Sequence, residues 1–261
     1  MKIPSEHQLR KDICEVGRRL YQKGFIAAND GNVSARMANG NILFTPSAMN
    51  KGRLDEEDLV VTDMEGRRLY GRREPSSELP MHLVVYRERP DVGAVVHAHP
   101  PHATGFSVAG VPLDKPLISE VVLTLGTVPL AEYGTPTTPE LAEKIEPYVR
   151  DHDAILMANH GAMASGPDLF SAYDRMETLD HFAHIWMVAR IMGTERSLSE
   201  ENVAKLQSIR DRVHFEPRAD ACFTCPILDE RMKATNGETL QLTRKQLVDL
   251  VADVIGSLNV V

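Results

Sequence analysis

The chain has 261 residues, 43% of them hydrophobic and 25% charged, and this ordinary globular composition excludes a disordered or collagen-like protein. Its 29 basic residues are outnumbered by 37 acidic ones, and the net charge of −8 excludes a broad electrostatic surface for nucleic acid. No run of 18 apolar residues and no signal-peptide pattern is visible, so we expect a cytoplasmic protein that does not insert into a membrane. Cys14, Cys222 and Cys225 are too few for a disulfide framework.

The first part of the chain predicts one helix followed by two β-hairpins. Ser5 and Gln8 form a capping-box pattern, and apolar residues then recur at helical spacing until Gly24 provides a stop signal. Turn signals at Asn39-Gly40 and Glu65-Gly66 each separate two short apolar runs, which is typical of a hairpin. The predicted strand pairs are Val33–Met37 with Ile42–Thr45, and Leu59–Asp63 with Arg67–Tyr70.

The rest of the chain alternates predicted helices with short buried strands. One helix begins near Ser76-Ser77 and ends at Arg89-Pro90, and a long helix runs from about Asp168 to Met192. The predicted buried strands are Val92–His99 and Ala154–Ala158, and the last amphipathic helices are Ser199–Val213 and Thr243–Ser257. Because hairpins are interleaved with helices, we predict one α/β domain with a mixed or antiparallel sheet.

Three histidines give the clearest indication of chemistry. His97 and His99 lie two residues apart in a predicted strand, so both side chains leave the same face, with Cα atoms roughly 6.6 Å apart. His160 ends the second buried run, and Gly161 after it permits a sharp turn at the rim of the sheet. Three histidines with one exchangeable position are typical of a catalytic zinc ion. The alternative, that each is a hydrogen-bonded core or rim histidine, stays open at this point.

Two other classes of metal site that use a His-X-His pair do not fit the residues that follow. A metallo-β-lactamase pattern requires an aspartate two places after the second histidine, where this chain has Pro101. A cupin pattern requires a glutamate a few residues later, and the segment Ala103–Gly105 contains none. The histidine pair therefore belongs to neither of these two patterns.

Two polar segments are candidates for binding an anion. Ser76 and Ser77 precede a predicted helix, where hydroxyls, free backbone N–H groups and the positive end of the helix dipole suit a phosphate. The turn Asn29–Asn32 also offers amide donors. The alternatives are an ordinary helix cap for the serines, with Glu78 only favouring the helix dipole, and an ordinary turn for Asn29–Asn32.

Five short stretches, taken together, resemble the class II aldolase/adducin family. They are Gly31–Arg36, Phe44–Ser47, Pro75–Glu78, Val95–His99 and Asn159–Gly161, and they occur in the family's order with family-like gaps. The resemblance covers about residues 5–195 and implies an α/β fold, a three-layer α/β/α sandwich around a central, mostly antiparallel sheet. We therefore expect one class II aldolase/adducin-like domain over residues 1–261, with a core at about 5–195 and a C-terminal helical extension at about 196–261.

The resemblance also implies roles for individual residues. His97, His99 and His160 look like three zinc ligands, and Glu78 looks like the catalytic carboxylate. The residues at the family's phosphate-binding positions are Asn29, Gly31, Asn32, Ser47, Ala48, Ser76 and Ser77.

Three positions depart from the family pattern. Asn29 replaces a threonine and Ala48 replaces a glycine in the phosphate pocket. The family's tyrosine, which lies at a subunit boundary and helps to protonate the aldehyde half, is missing, because this chain reads Leu117–Glu120 near that place. Glu120 is our first choice for a substrate contact that replaces this tyrosine.

The activity that the resemblance implies is a zinc-dependent retro-aldol cleavage, with Mn²⁺ or Co²⁺ as other metals. The substrate would be a ketose 1-phosphate, similar to fuculose 1-phosphate or a 5-deoxypentulose 1-phosphate, cleaved through an enediolate to dihydroxyacetone phosphate and an aldehyde. A homotetramer with sites at subunit boundaries is also implied. Alternatives on the same scaffold are a pentulose-5-phosphate 4-epimerase and a sugar-acid phosphate decarboxylase, and the alternative of another class is a non-catalytic, adducin-like binding module.

Other metal-like patterns in the chain favour a structural interpretation. Glu177, His181 and His184 have helical spacing and predict a solvated or interface stripe rather than a metal site. His102 is near enough in sequence to assist the histidine pair. The segment Cys222–Cys225 resembles half a zinc knuckle or a redox pair, with a lid or a subunit contact as the alternative.

Overall fold

The computed structural model describes residues 3–213, which form one sheet with helices on both of its faces. The strands are β1 (Asn32–Arg36), β2 (Ile42–Phe44), β3 (Val60–Thr62), β4 (Arg68–Tyr70), β5 (Ala94–Ala98), β6 (Leu130–Ala131), β7 (Ala154–Met157) and β8 (Gly161–Gly166). The helices are α1 (Glu6–Gln22), α2 (Leu79–Glu88), α3 (Pro101–Val108), α4 (Ser119–Thr124), α5 (Pro139–Val149), α6 (Leu169–Ile191) and α7 (Glu200–Val213). In this part of the chain, no helix combines the length and the apolar character that crossing a membrane requires.

The sheet is antiparallel except at one edge. The eight strands of the described chain lie in the order β4-β3-β2-β1-β5-β8-β7-β6, and only β6 and β7 pair in parallel. The central strands β1 and β5 pair with Asn32 opposite His97. This register places the end of one predicted anion-binding turn beside the first of the predicted metal ligands.

Each face of the sheet has its own apolar core, because alternate side chains of a strand point to opposite faces. In β5, Val96 packs in the core that α1, α3 and α6 cover, whereas Val95 packs in the core that α2 and α5 cover. Trp186 of α6 is fully buried in the first core, and Tyr86 of α2 is 1% exposed in the second. The predicted three-layer α/β/α fold with a mostly antiparallel sheet is therefore confirmed.

Local patterns predict the first half of the chain well and the middle poorly. Ser5 caps α1, its side chain accepting a hydrogen bond from the backbone N–H of Gln8 at 3.3 Å, and both predicted hairpins are present. The sequence does not predict β8, whose residues Gly161–Gly166 are nearly all glycine and alanine and become a strand by pairing with β5 and β7. Helices α3, α4 and α5 are also absent from the sequence prediction, and the predicted helix Thr243–Ser257 lies outside the described residues.

Candidate functional site

Three histidine side chains meet at one end of the sheet. His97 lies near the end of β5, His99 directly follows that strand, and His160 lies in the turn between β7 and β8. Their ring centroids are 5.0, 4.8 and 5.1 Å apart, and one ligand atom from each lies within 4.8 Å of the others. Within residues 3–213 this is the one group of histidine, cysteine and carboxylate side chains with a metal-binding arrangement.

His97 is held in the form that a metal ligand requires. Its Nδ1 lies 2.9 Å from the carbonyl oxygen of Ala162 on β8, so Nδ1 carries the proton and donates to that oxygen. The unprotonated Nε2 then faces the cluster, 3.2 Å from Nε2 of His99. Burial lowers the pKa of His97 to about 3, although Glu78 opposes the shift, and burial also lowers the pKa of His99. Both imidazoles are therefore neutral at pH 7 and keep a lone pair for an ion.

The donor set fits a divalent metal ion. Three neutral imidazoles are a common protein environment for Zn²⁺ and also suit other transition metals. Nδ1 of His160 is buried and has no hydrogen-bond partner among the described residues. A buried polar atom without a partner is costly, so the cluster has an unmet requirement for a ligand or solvent.

Two glycines allow the backbone to approach this cluster closely. A Cβ atom on Gly161 would lie 2.6 Å from Cδ2 of His99 and 2.7 Å from the carbonyl oxygen of Ala98, so any side chain there would displace the ring or the strand. Gly31 has a φ of +69°, and a Cβ atom on it would lie 2.8 Å from the carbonyl oxygen of His97. Gly31 therefore shapes the predicted anion-binding turn against β5 rather than contributing a side chain.

The carboxylate of Glu78 lies against the histidine cluster. Its Oε2 is 3.3 Å from Nε2 of His97, and its Oε1 is 3.2 Å from Nε2 of His160. Asn32 donates from Nδ2 to Oε2 of Glu78 at 2.7 Å. Burial alone would raise the pKa of Glu78, but His97, His160 and the amide of Asn32 together hold this pKa well below its usual value. Glu78 is therefore an ionised carboxylate at neutral pH.

A buried hydrogen-bond chain behind Glu78 was not found from the sequence. Because Asn32 uses its amide N–H on Glu78, its Oδ1 must accept, and Nε2 of His82 donates to it at 2.5 Å. Nδ1 of His82 then accepts from the hydroxyl of Ser34 at 2.7 Å, and Ser34 accepts from the hydroxyl of Tyr86 at 2.7 Å. Burial lowers the pKa of His82 to about 3, so the ring is neutral and supplies one donor and one acceptor. The spacing of four residues between Glu78 and His82 was the available sequence signal.

The residues at the predicted phosphate positions come from three loops that meet beside Glu78. The backbone N–H of Ser76 donates to the carbonyl of Thr45 at 3.2 Å, and that of Ser47 donates to the carbonyl of Glu74 at 3.0 Å. Nδ2 of Asn32 lies 3.4 Å from Oγ of Ser76, which joins the third loop to the other two. Helix α2 begins at Leu79, so the prediction that it starts near Ser76-Ser77 is wrong by two or three residues, and the N–H of Ser76 is already used.

The side chains around this junction leave donors available to a ligand. Asn29, Ser47 and Ser77 are exposed, and their side chains make no hydrogen bond within residues 3–213. Ala48 has a φ of +54°, the left-handed conformation that the glycine of the family pattern would adopt without strain. The substitution at position 48 therefore keeps the shape of the loop.

The structure does not bring Glu120 to the histidine cluster. Glu120 is exposed in the first turn of α4 and lines an open groove of about 750 Å³ together with Phe25. The carbonyl of Phe25 accepts a hydrogen bond from the backbone N–H of His99 at 2.9 Å, so the groove adjoins the cluster. The same groove is lined by the helical stripe Glu177, His181 and His184.

The remaining metal-like residues have other partners. Nδ1 of His102 lies 2.9 Å from Oδ2 of Asp180, and the ring of His102 stacks on that of His184 with centroids 4.0 Å apart. Glu177 accepts a hydrogen bond from Nζ of Lys23 at 2.7 Å. Among the described residues, this stripe does not form a metal-binding group. The segment Cys222–Cys225 lies outside the described residues.

Comparison with known proteins assigns the family. Residues 11–187 match the family model described as "Class II Aldolase and Adducin N-terminal domain". The chain belongs to the class II aldolase/adducin family. The resemblance inferred from the five short stretches is thereby confirmed. Class II aldolases depend on a metal ion, and the three histidines are the group in this member that is able to hold one.

Named relatives within the family catalyse different reactions. The chain is 32% identical over 202 residues to 3-oxo-tetronate 4-phosphate decarboxylase of Haemophilus influenzae, covering 75% of this chain and 94% of that protein. It is also 32% identical over 201 residues to 5-deoxy-D-ribulose 1-phosphate aldolase of Bacillus thuringiensis, covering 75% and 93%. The crystal structure of L-fuculose-1-phosphate aldolase from Thermus thermophilus is similar with a TM-score of 0.65 and 34% identity, covering 74% of this chain and 100% of that one.

Proposed function

We propose that this class II aldolase-family member is a metal-dependent lyase that cleaves a ketose 1-phosphate, of the fuculose 1-phosphate or 5-deoxypentulose 1-phosphate type, into dihydroxyacetone phosphate and an aldehyde. The observation that carries the proposal is the ionised carboxylate of Glu78, which lies within 3.3 Å of the nitrogen atoms of both His97 and His160. A proton-accepting group and a metal-binding group thus share one small site at the end of the sheet.

Each part of the site has a task in this reaction. His97, His99 and His160 would hold the ion, for which zinc is our first choice and Mn²⁺ and Co²⁺ are the alternatives. A bound divalent ion supplies Lewis-acid stabilisation of the negative charge that develops next to a carbonyl. Glu78 moves the proton at the reacting carbon and oxygen atoms. The phosphate is held by the loops that contain Asn29, Gly31, Asn32, Ser47, Ala48, Ser76 and Ser77.

The test is a screen of phosphorylated ketoses with detection of free dihydroxyacetone phosphate. Ketose 1-phosphates and ketose 5-phosphates, including 5-deoxy and 5-thio pentuloses, are incubated with the full chain before and after treatment with a chelator. We expect release from a ketose 1-phosphate that stops when the metal is removed and returns when zinc is added. Release that is unaffected by the chelator would contradict the proposed metal dependence.

Two variants separate the metal-binding group from the proton-transfer group. His97→Ala should lose both bound metal and turnover, because it removes one of three ligands. Glu78→Gln should retain the metal and lose about 10²–10⁴-fold in rate, the usual contribution of a positioned general base. Normal turnover by Glu78→Gln would remove this carboxylate from the mechanism.

A second candidate reaction is decarboxylation of a 3-oxo sugar acid phosphate. The chain is as similar to the decarboxylase of Haemophilus influenzae as to the aldolase of Bacillus thuringiensis, at 32% identity each. At the place where the family pattern has a proton-donating tyrosine, this chain has Glu120, which is exposed and lies outside the histidine cluster. Carbon dioxide leaves without needing such a proton. The same screen with 3-oxo-tetronate 4-phosphate and detection of carbon dioxide tests this alternative.

The proposal also covers the other properties of the protein. A pentulose-5-phosphate 4-epimerase would convert its substrate without releasing dihydroxyacetone phosphate, and a non-catalytic binding module would contain no stoichiometric divalent ion. We propose a cytoplasmic homotetramer with a small phosphorylated sugar as substrate and without nucleic acid or membrane partners. Light scattering of the purified chain measures the predicted tetramer directly.

A further inference from the structure

The amino group of Lys51 is buried next to the predicted phosphate loops. Lys51 is only 2% exposed, although lysine is almost never fully buried unless it is paired. Its Nζ donates to the backbone carbonyl of Asn29 at 2.6 Å. No carboxylate of residues 3–213 forms an ion pair with it. A buried cation whose partner within the described chain is a neutral carbonyl lacks a compensating negative charge.

The position of Lys51 is fixed by its backbone. The residue begins a short 3₁₀ turn, Lys51–Arg53, that is capped by the side chain of Asn50. Helix α1 packs so closely on this turn that a Cβ atom on Gly17 would lie 2.3 Å from the carbonyl oxygen of Lys51. The side chain therefore extends from a rigid base toward the carbonyl of Asn29, and its ammonium group is held in place before any substrate arrives.

The phosphate loops themselves contain no cation. The residues assigned to phosphate binding are all neutral, and in the sequence around them the carboxylates of Asp30 and Glu78 are negative. Among the described lysines and arginines, Lys51 is the one that hydrogen-bonds to a residue of these loops. Burial lowers the pKa of Lys51 to about 8, while Asp30 and Glu78 oppose this shift, so the amine is mostly protonated at pH 7.

We propose that Lys51 is a specificity-determining residue that supplies the positive charge for the phosphate group of the substrate. The inference rests on the proposed function and deepens it, because it assigns the recognition of a phosphate dianion to a residue outside the family-like motif positions. The ammonium group acts from beneath the turn at Asn29 and attracts the anion that the neutral donors of Asn29, Ser47 and Ser77 orient. An unphosphorylated sugar would leave this cation unpaired and would bind poorly for that reason.

The test measures binding of inorganic phosphate to the metal-loaded full chain by isothermal titration calorimetry and by the shift in melting temperature. Lys51→Met removes the charge and keeps the length of the side chain, and Lys51→Gln keeps an N–H donor on a side chain one bond shorter. Lys144→Met is the matched control, because Lys144 lies on α5 and pairs with Glu132 on the surface. We expect both variants at position 51 to weaken phosphate binding by about 10- to 100-fold, as loss of a charge-assisted contact does, and the control to bind like the wild type.

The unliganded melting temperature separates recognition from structure. Without phosphate, Lys51→Met should melt at or above the wild-type temperature, because the substitution removes an uncompensated buried charge. Wild-type phosphate affinity in both variants would overturn the inference and leave the proposed function intact. Loss in Lys51→Met that Lys51→Gln restores would also overturn it, since the hydrogen bond to Asn29 and not the charge would then matter. A wild-type protein that does not bind phosphate would contradict the phosphorylated substrate itself, and the inference with it.

Discussion

The substitution His82→Leu should weaken both the fold and the orientation of the proposed catalytic carboxylate. His82 is fully buried and connects Asn32 to Ser34 through hydrogen bonds of 2.5 and 2.7 Å. Leucine has no polar atom, so Oδ1 of Asn32 and the hydroxyl of Ser34 would lose their partner. The amide of Asn32 would then be free to rotate and present its oxygen, instead of its N–H, to Glu78.

The size of the effect follows from the two groups that lose their partner. Each buried polar group left unsatisfied costs about 1–3 kcal/mol, so His82→Leu should lower the free energy of unfolding by about 2–6 kcal/mol. Tyr86→Phe breaks only the far end of the same chain, the 2.7 Å hydrogen bond to Ser34, and should cost about 1 kcal/mol. Turnover should fall about 10- to 100-fold in His82→Leu, the usual effect of removing an outer partner of a metal site, and much less in Tyr86→Phe.

The assay compares urea unfolding of both variants and the wild type at pH 7 in the presence of a chelator, so that metal binding does not contribute to stability. Turnover of the metal-loaded proteins is measured in parallel. If His82→Leu unfolds at the wild-type urea concentration and keeps its rate, the hydrogen-bond chain neither stabilises the fold nor orients Glu78. If Tyr86→Phe and His82→Leu are equally impaired, the graded reasoning from the number of orphaned atoms is wrong.

Two further predictions concern the metal cluster and its pH dependence. Gly161→Ala should weaken metal binding, measured by competition with a chelator, because its Cβ atom would meet Cδ2 of His99 at 2.6 Å; Gly105→Ala is the control, since nothing lies within 4 Å there and alanine favours helix α3 by up to about 1 kcal/mol. Equal metal affinity in both variants would contradict the role of Gly161. The metal-free protein should lose stability as the pH falls from 6.5 toward 3, by up to about 1.4 kcal/mol per pH unit for each of His82 and His97, because the unfolded chain binds protons that the folded rings, with pKa values of about 3, do not. Urea midpoints that do not change between pH 7 and pH 5 would refute this assignment.

Short-range patterns in the sequence were sufficient for the first hairpins, the caps and the family motifs. The Ser5 cap, the turn at Asn39-Gly40 and the buried run that contains His97 and His99 each depend on residues a few positions apart. Such signals survive in the sequence because local backbone preference and side-chain periodicity produce them directly. The five stretches that carry the family resemblance are of this kind as well.

The contacts that complete the site depend on residues far apart in the chain, and only the tertiary structure decided them. Strand β8 has almost no side-chain signal of its own, yet its pairing with β5 places the carbonyl of Ala162 on Nδ1 of His97 and thereby selects the tautomer. The approach of Lys51 to Asn29 requires the packing of α1 on a 3₁₀ turn, which no local pattern encodes. The sequence by itself therefore determined which residues carry the chemistry. Their protonation, orientation and unpaired charge were decided by burial and by partners that only the folded chain brings together.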